Sequence, residues 1–502
     1  MTGRVEEFLH AQAATRPQAR ALSDTVGTAW RYGDLAKAAT SVRLMLQEAG
    51  VCPQDRVLLI CENCAAAVAV LFACWEMDAV AIPLNARQSP AEVTRVLEHA
   101  KPAVVLGTTD VSPDAAAHLE RMGGAARAGA FGRLHLASPF PSVPDDALRG
   151  AAVLLYTTGT TGDPKGVILT HDNLRFGGKA SAQLRGMTAA DVIYGVLPIS
   201  HVFGLASVVT AAAYAGARID LVPRFAPAAL YAALVGDGIT LLSAVPQMHA
   251  LLMEYVRAQG LTRLEGHALR YVSSGAAPLD PSWKRKAEAF YGVALQNGYG
   301  MTEATAGVCI TQNEIGADDI STGPPLPGIE VRIDESAVGG GAGAGEVLVR
   351  GPNVMRGYYR NVEATHHVLD AEGWLRTGDL GRFDTGGSLH ILGRSKELII
   401  HGGFNVYPPE VEAALNDHPA VIQSAVIGEM VAGDEKVLAF VQLANLGDVS
   451  ADELMDFVGA RLAGYKRPGR IILATDLPAA PTGKILKHKL PELLRRADAV
   501  QR

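Results

Sequence analysis

A run of threonines and glycines with one lysine is the most concentrated candidate for chemistry in the sequence. Residues 156–167 read Tyr-Thr-Thr-Gly-Thr-Thr-Gly-Asp-Pro-Lys-Gly-Val and stand between two short apolar runs. Hydroxyl groups, backbone N–H groups and a lysine on a strand-to-strand turn can surround polyphosphate oxygens. The turn is not a Walker A loop, because Lys165 precedes Gly166 and no helix starts directly after it. An ordinary polar hairpin needs fewer glycines. The predicted phosphate ligands are Thr157, Thr158, Gly159, Thr160, Thr161 and Lys165.

Two carboxylates and one lysine are further candidates for work on an anionic ligand. Glu303 follows Tyr-Gly-Met-Thr, Asp379 follows Thr-Gly, and Lys484 ends a Pro-Thr-Gly-Lys turn. A carboxylate such as Glu303 is a hard oxygen ligand that suits Mg²⁺. Each has an ordinary alternative when it is considered alone. Glu303 could be an acid at a helix N-terminus, Asp379 a turn residue and Lys484 a solvated lysine. The sequence predicts solvated side chains for Lys487, His488 and Lys489.

The elements that must position these residues form an α/β pattern. Short runs rich in valine, isoleucine and leucine alternate with longer alanine-rich segments of helical character. This alternation is typical of parallel strands joined by crossover helices, and it predicts more than one sheet. The predicted strands include 56–60, 79–83, 103–107, 218–222, 239–244, 269–273 and 293–297.

Three other segments break this alternation. Residues 122–146 are rich in glycine, alanine, proline and serine without a sustained period, which predicts a surface connection. Residues 329–333 and 346–350 alternate apolar and polar side chains around a glycine run, which predicts a hairpin. A domain boundary is expected near Gly393, because a separate set of strands and helices follows it.

Composition excludes several classes of protein. The 502 residues carry a net charge of −7 at pH 7, so no broad positive field is available for nucleic acid or an anionic membrane. Five cysteines, an odd number, argue against a disulfide-stapled secreted protein and favour a reducing cytoplasm. Cys61 and Cys64 lack a second zinc half-site and are read as packing residues. We recognise no signal peptide in the sequence and no apolar segment long enough to span a membrane. The sequence does not exclude a peripheral contact with a membrane.

Seven further segments, in order along the chain, carry a likeness to a known group of enzymes. They are LPISHVFGL at 197–205, SSGAAPL at 273–279, NGYGMTEAT at 297–305, GWLRTGD at 373–379, GRSKE at 393–397, GGFNVYPPE at 402–410 and PTGK at 481–484. With these segments the chain resembles the adenylate-forming superfamily of acyl-CoA synthetases, nonribosomal adenylation domains and luciferases. The likeness extends over essentially the whole chain.

This resemblance implies a particular division of the α/β fold. It implies a large N-terminal domain of doubly wound sheets with a small β-barrel-like subdomain, and a small mobile α+β C-terminal domain. Residues 1–393 would form the AMP-binding (adenylation) domain, 394–396 the hinge with Lys396 at its pivot, and 397–502 the mobile domain. Rotation about such a hinge would present Lys484 in one step and the loop at 402–407 in the next.

The resemblance also implies roles for individual residues. The catalytic candidates are Lys484, Thr302, Glu303 and His201, and Glu303 is also the candidate Mg²⁺ ligand. Beyond the phosphate loop, ATP and AMP would contact Gly275, Ala276, Ala277, Asn297, Gly298, Tyr299, Gly300, Asp379 and Arg394. The acyl pocket would be lined by His201, Phe203, Ser207, Gly275, Gly298, Gly300 and Ala306. The coenzyme A tunnel would involve Gly402, Gly403, Phe404, Lys436 and Lys466, with a solvated surface as the alternative for the two lysines.

The implied activity is that of an acyl-CoA synthetase. ATP would adenylate a hydrophobic carboxylic acid, of the medium- or long-chain fatty or cinnamate-like aryl type, with release of pyrophosphate. The acyl group would then pass to coenzyme A, giving acyl-CoA and AMP, so ATP, Mg²⁺ and coenzyme A are the expected cofactors. The alternative is loading of a carrier-protein phosphopantetheine thiol. We expect no nucleic-acid partner, and a homodimer is an option. The sequence does not name the acid, and it leaves a short dicarboxylate or a benzoate open.

Overall fold

The computed structural model describes residues 3–158, 164–275, 279–337, 343–402, 404–431, 434–479 and 485–500. The strands in these ranges are β1 (Arg20–Asp24), β2 (Ala29–Arg31), β3 (Arg56–Cys61), β4 (Val80–Asn85), β5 (Val104–Gly107), β6 (Ala125–Gly129), β7 (Gly132–Ala137), β8 (Ala151–Thr158), β9 (Pro164–Thr170), β10 (Val192–Gly195), β11 (Arg218–Leu221), β12 (Leu241–Ala244), β13 (Tyr271–Gly275), β14 (Leu295–Tyr299), β15 (Cys309–Ile310), β16 (Glu330–Asp334), β17 (Ala344–Arg350), β18 (Gly357–Tyr358), β19 (Leu375–Phe383), β20 (Leu389–Arg394), β21 (Ile399–His401), β22 (Phe404–Val406), β23 (Val421–Val431), β24 (Asp434–Leu443) and β25 (Arg470–Ala474).

Helices connect most of the consecutive strands, as the alanine-rich segments predict. They are α1 (Glu7–Thr15), α2 (Tyr32–Glu48), α3 (Ala65–Glu76), α4 (Pro90–Ala100), α5 (Pro113–Arg121), α6 (His171–Leu184), α7 (Val202–Gly204), α8 (Ala211–Ala215), α9 (Pro227–Gly236), α10 (Pro246–Ala258), α11 (Pro281–Tyr291), α12 (Val362–Val368), α13 (Pro408–Asn416), α14 (Ala451–Gly459) and α15 (Leu490–Val500). A π-helix, Leu205–Thr210, joins α7 to α8. No helix in the described ranges is both long and apolar enough to cross a membrane.

Two eight-stranded sheets form the large N-terminal domain. One has the order β15-β14-β13-β12-β10-β11-β1-β2 and the other β18-β9-β8-β4-β3-β5-β7-β6. The inner strands of the first sheet, from β14 to β1, run parallel. Helix α3 is apolar all round and almost wholly buried, as expected of a helix packed on more than one side. These layers give the α/β fold that the sequence predicts.

Two smaller units complete the fold. The sheet β16-β17-β19-β20 is antiparallel, and the small β subdomain that the resemblance implies takes the form of this four-stranded sheet. A three-stranded sheet, β23-β24-β25, forms the small C-terminal domain together with the hairpin β21-β22 and α13 to α15. The C-terminal domain has its own buried cluster, which includes Val411, Val437 and Leu454. The exact limits 394–396 of the hinge remain a prediction.

The predicted elements compare closely with those observed. All seven predicted strands form, and the predicted hairpin is the β16–β17 pair. The surface connection predicted at 122–146 is wrong, because β6 and β7 form a hairpin there and β7 extends the second sheet from β5. Every residue of β6 is exposed, so this edge strand carries no apolar alternation for sequence analysis to detect. Cys61 and Cys64 are buried, which confirms their reading as packing residues.

Candidate active site

Strands β8 and β9 hold the two ends of the predicted phosphate loop. They run antiparallel, and Thr157 lies opposite Lys165 at the open end of the pair. Gly159, Thr160 and Thr161 lie outside the described residues, as does the side chain of Thr158. The ammonium of Lys165 lies 5.0 Å from the ring centroid of Tyr358. The loop's lysine therefore has a defined neighbour.

Tyr358 links this lysine to the predicted metal ligand. Its hydroxyl donates a hydrogen bond of 2.9 Å to Oε1 of Glu303. Burial, together with the Glu303 carboxylate, raises the pKa of Tyr358 well above its ordinary value, so the tyrosine stays a donor. Glu303 sits in a short 3₁₀ turn, Thr302–Ala304, directly after β14, and the N–H of Met355 bonds to its carbonyl at 2.8 Å. A cation, an aromatic ring and a carboxylate thus stand in a row beside the phosphate loop.

The surroundings of Glu303 fit a magnesium ion that is shared with a nucleotide. Within the described residues, no group of three or more histidine, cysteine, aspartate or glutamate side chains could hold a metal by itself. Mg²⁺ in nucleotide sites usually takes one or two carboxylates and completes its shell with phosphates and water. Glu303 accepts one hydrogen bond from Tyr358, and a carboxylate has further lone pairs to offer. Glu303 and the phosphates of ATP would therefore hold the ion together.

A second polar cluster forms around Asp379 on β19. Its carboxylate is buried and accepts from the Tyr299 hydroxyl at 2.6 Å and from Nε of Arg394 at 3.0 Å. The Asp379 charge raises the pKa of Arg394, against the effect of burial, and the carboxylates of Glu397 and Glu303 act in the same direction. Burial and the Asp379 charge also raise the pKa of Tyr299 well above its ordinary value. Tyr299 ends β14 and Glu303 follows in the next turn, so the two clusters lie near the same end of one strand.

The ends of β13 and β14 lie beside the Asp379 cluster, because Tyr299 at the end of β14 contacts Asp379. Gly275 lies opposite Gly298 in the parallel ladder, and Ala276 and Ala277 fall outside the described residues. Nδ2 of Asn297 donates to the carbonyl of Ser321 at 2.9 Å. Its Oδ1 is buried and lacks a hydrogen-bond partner among the described residues. This free acceptor suits the exocyclic amine of an adenine, as predicted for Asn297.

Two contacts explain why small residues occur on the predicted acyl side. A Cβ on Gly275 would lie 3.3 Å from the ring of Phe203, so the ring packs directly on the strand. A Cβ on Gly300 would overlap the carbonyl of Ala306, which itself has a φ of 73°. Glycine is therefore the residue that fits position 300.

The remaining acyl-side candidates lie on one continuous helical segment. Nδ1 of His201 accepts from the N–H of Phe203 at 3.2 Å and caps α7. Ser207 lies in the π-helix that follows, and its hydroxyl accepts from that of Ser181 on α6 at 3.1 Å. His201, Phe203 and Ser207 thus lie along one helical segment, and Phe203 places this segment against Gly275.

The C-terminal candidates are spread over several elements. Lys396 lies in the 3₁₀ turn Ser395–Glu397, and Ser395 donates to the Gly378 carbonyl at 3.1 Å. Phe404 stacks on Tyr465 with ring centroids 4.7 Å apart, and Lys466 beside them pairs with Glu410. Lys436 lies on β24 opposite Glu429, and Gly402 adopts a φ of 57°. Gly403 and Lys484 lie outside the described residues.

Two residues differ from the sequence analysis. Lys487 was predicted to be solvated, which is wrong, because its ammonium pairs with Glu397 at 3.0 Å and Glu412 at 2.9 Å and its side chain is 23% exposed. Burial alone would lower the pKa of Lys487, but the two carboxylates outweigh burial and raise it. Tyr358 was missed. Its distance in sequence from Glu303 hides the contact, and a Gly-Tyr-Tyr run is the only local signal.

Comparison with known proteins agrees with this geometry. A family model described as AMP-binding enzyme matches residues 9–359, and the AMP-binding enzyme C-terminal domain matches residues 410–484. A feruloyl-CoA synthase from Amycolatopsis sp is 33% identical over 92% of this chain and 94% of its own length. The 4-coumarate–CoA ligase 5 of Oryza sativa subsp. japonica is 31% identical over 95% and 92%. The structure of o-succinylbenzoate coenzyme A synthetase from Bacillus subtilis with ATP and magnesium ion is 28% identical, with a TM-score of 0.80 and coverage of 96% and 99%.

Proposed function

The chain belongs to the AMP-binding enzyme family as an AMP-forming acid–thiol ligase that uses ATP, Mg²⁺ and coenzyme A, and from this premise we propose that its acid is an aryl acid of the cinnamate type. Two relatives with coverage above nine-tenths of both chains are named for ferulate and coumarate, which supports this class. The ring of Phe203 beside Gly275 also supports it, because an aromatic acid can stack on an aromatic side chain. Medium- and long-chain fatty acids are the alternative class.

The observation that carries the proposed mechanism is the pair of polar clusters around Glu303 and Asp379 near the end of β14. Arg394 pairs with Asp379, and the Glu303 carboxylate also acts on its charge. Adenylation must bring a carboxylate to an anionic nucleotide, so the site has to offset like-charge repulsion. Cations and a candidate metal-binding acid near the end of one strand support this chemistry.

We assign the first step as follows. A carboxylate oxygen of the acid attacks the α-phosphorus of ATP, and the bond to the departing pyrophosphate breaks. Mg²⁺ held by Glu303 would supply charge neutralisation at the phosphates. Lys165 and the hydroxyls of the phosphate loop would hold the departing group, while Asp379 and Asn297 would hold the nucleoside. Lys484 would orient the attacking carboxylate against the α-phosphate, with His201 as the residue beside the carboxylate.

In the second step the thiol of coenzyme A attacks the carbonyl carbon of the adenylate. The carbon–sulfur bond forms, the carbon–oxygen bond to the phosphate breaks, and AMP leaves with the electron pair. We propose that the C-terminal domain turns about Lys396 between the steps and brings the loop at 402–407 to the site. Phe404 and Lys466 would then line the path of coenzyme A. Loading of a carrier protein is not favoured, because the relatives are named CoA ligases.

A pyrophosphate-release assay with a panel of acids tests the proposed acid class. Cinnamate, coumarate, ferulate, benzoate, o-succinylbenzoate and octanoate would each be supplied with ATP and Mg²⁺, and the thioester would be identified by mass after addition of coenzyme A. We expect the highest kcat/KM with a cinnamate-type acid. Higher kcat/KM with octanoate would contradict the aryl assignment, and a thioester on a phosphopantetheinylated carrier protein but none on free coenzyme A would contradict the acceptor.

A further inference from the structure

One face of β13 lies toward the helical segment that contains Phe203 and the π-helix. Alternate residues of a strand share one face, so Tyr271, Ser273 and Gly275 point to the same side. Gly275 on that side approaches Phe203, and Tyr271 belongs to the same buried cluster as Leu205 of the π-helix. π-helical turns are rare and occur often at functional sites. An acyl group that follows this face of β13 from Gly275 runs toward Tyr271.

A buried arginine lies at the lower end of this layer. Arg185 directly follows α6, and 6% of its surface is exposed. Its Nη1 donates to the carbonyl of Ser207 at 2.6 Å, and its guanidinium lies 5.6 Å from the ring centroid of Tyr271. Arg185 therefore bridges the π-helix and the start of β13.

The polar groups at this end are incompletely paired. Within the described ranges, Nε of Arg185 and the hydroxyl of Tyr271 are buried and have no hydrogen-bond partner. The described residues also provide no carboxylate in ion-pair contact with Arg185, whereas the adjacent Arg270 pairs with Asp191 at 2.6 Å. A buried charge without an opposite charge, and a buried donor without an acceptor, are both costly. Among the described residues, Nε of Arg185 and the hydroxyl of Tyr271 therefore lack an oxygen acceptor.

We propose that Arg185 and Tyr271 bind an oxygen at the end of the acid remote from the activated carboxylate. The inference rests on the proposed function, because it places the acyl group along β13. Four residues separate Tyr271 from Gly275, so this end lies about 13 Å from the mouth of the pocket at roughly 3.3 Å per residue. A second carboxylate or a phenolic hydroxyl supplies the chemistry that a guanidinium and a tyrosine hydroxyl recognise. The substrate class is therefore an acid with an oxygen at its far end.

Matched pairs of acids test this assignment in the full-length enzyme. Suberate is compared with octanoate, and para-coumarate with cinnamate, by pyrophosphate release without coenzyme A. We expect the wild-type enzyme to prefer the oxygenated member of at least one pair by roughly 10- to 100-fold in kcat/KM, the range for a hydrogen bond to a charged group. The pair that shows the preference identifies the oxygen as a carboxylate or a phenol.

Two variants connect the preference to these residues. Arg185→Met should abolish it, through a higher KM for the oxygenated acid, and leave kcat/KM for octanoate and cinnamate near the wild-type value. Tyr271→Phe removes one hydroxyl and keeps the ring, and it should reduce the preference for the oxygenated acid by about 2- to 10-fold. This variant keeps the proposal testable if Arg185→Met does not fold. Arg263→Met, at an exposed arginine paired with Glu265, is the matched control and should change nothing.

Two results would overturn the assignment. One is equal kcat/KM for both members of both pairs in the wild-type enzyme, and the other is a preference that survives in folded Arg185→Met and in Tyr271→Phe. Absence of pyrophosphate release with every acid would instead contradict the proposed function itself. The outcomes therefore distinguish a failure at the far end of the pocket from a failure of the activity.

Discussion

Replacement of Asp379 by asparagine tests the nucleoside cluster with the smallest change in shape. The carboxylate holds Tyr299 through Oδ2 at 2.6 Å and Arg394 through Oδ1 at 3.0 Å. A carboxylate offers about four lone-pair positions, so two stay available for the hydroxyls of a ribose. The amide of Asp379→Asn removes the charge, and its NH₂ group can accept no hydrogen bond. We expect weaker binding of ATP with the chemical step largely retained.

The magnitude follows from the number of contacts that change. A hydrogen bond between a ligand hydroxyl and a buried charged group contributes about 1.5–3 kcal/mol, which corresponds to roughly 10- to 150-fold in KM for ATP. Tyr299→Phe removes only a donor to Asp379 and leaves its acceptors in place, so its effect should be about 10-fold or less. The charge of Asp379, rather than the Tyr299 hydroxyl, should therefore dominate.

The assay is the dependence of pyrophosphate release on ATP concentration at a saturating concentration of the acid. Asp384→Asn, in the exposed turn between β19 and β20, is the matched control because it makes the same chemical change in the same sheet. The control should retain the wild-type KM. An unchanged KM for ATP in a folded Asp379→Asn enzyme would refute the assignment of Asp379 to the nucleoside.

Two further predictions concern the C-terminal turn and the pH dependence of stability. Lys487→Met should slow pyrophosphate release by roughly 10-fold. The variant loses a half-buried ion pair that contributes about 1–2 kcal/mol, and this pair should help to hold Lys484, three residues earlier, in position. Thioester formation from a preformed adenylate and the exposed Lys489→Met control should change little, and equal losses in both half-reactions would contradict this reasoning. Burial lowers the pKa of His249 from 6.5 to about 4. Between these two pH values His249 is protonated in the unfolded chain and neutral in the folded chain, so the folded state loses stability as the pH falls. Denaturant titrations should show full stability above pH 6.5 and a loss of about 3 kcal/mol by pH 4 from this residue, and His249→Gln should flatten the profile. A profile as steep in His249→Gln as in wild type would assign the loss elsewhere.

Elements with a strong local signal could be predicted from the sequence. The parallel strands carry continuous valine, isoleucine and leucine runs because both faces are buried, so they stand out in a single chain. The β6–β7 hairpin could not be found, because an exposed edge strand of alanine and glycine has no burial pattern to read. The β16–β17 hairpin was expected from the alternation around its glycine run, whereas its pairing with β19 and β20 was not.

Part of the candidate site could be predicted from the sequence for a similar reason. Residues within motifs, such as Glu303 and Asp379, are identified by their immediate neighbours in sequence. Contacts that form only on folding cannot be identified in this way. Tyr358 is an example, because it lies on β18, far from Glu303 in the sequence, and bonds to it in the fold. Lys487 was misjudged because a lysine in a basic run is usually solvated, whereas Glu397 and Glu412 surround this one. Nothing in the sequence singles out Arg185, because the proposal for it depends on its buried and unpaired Nε, which only the structure reveals.

The central claim is that one crevice serves two half-reactions, with Lys484 needed only in the first. The most direct measurement compares wild type and Lys484→Ala for pyrophosphate release from ATP and acid, and for thioester formation from chemically prepared adenylate and coenzyme A. We predict that the variant loses the first reaction and retains the second. Equal loss of both reactions in a folded variant, or full retention of the first, would contradict the two-step account.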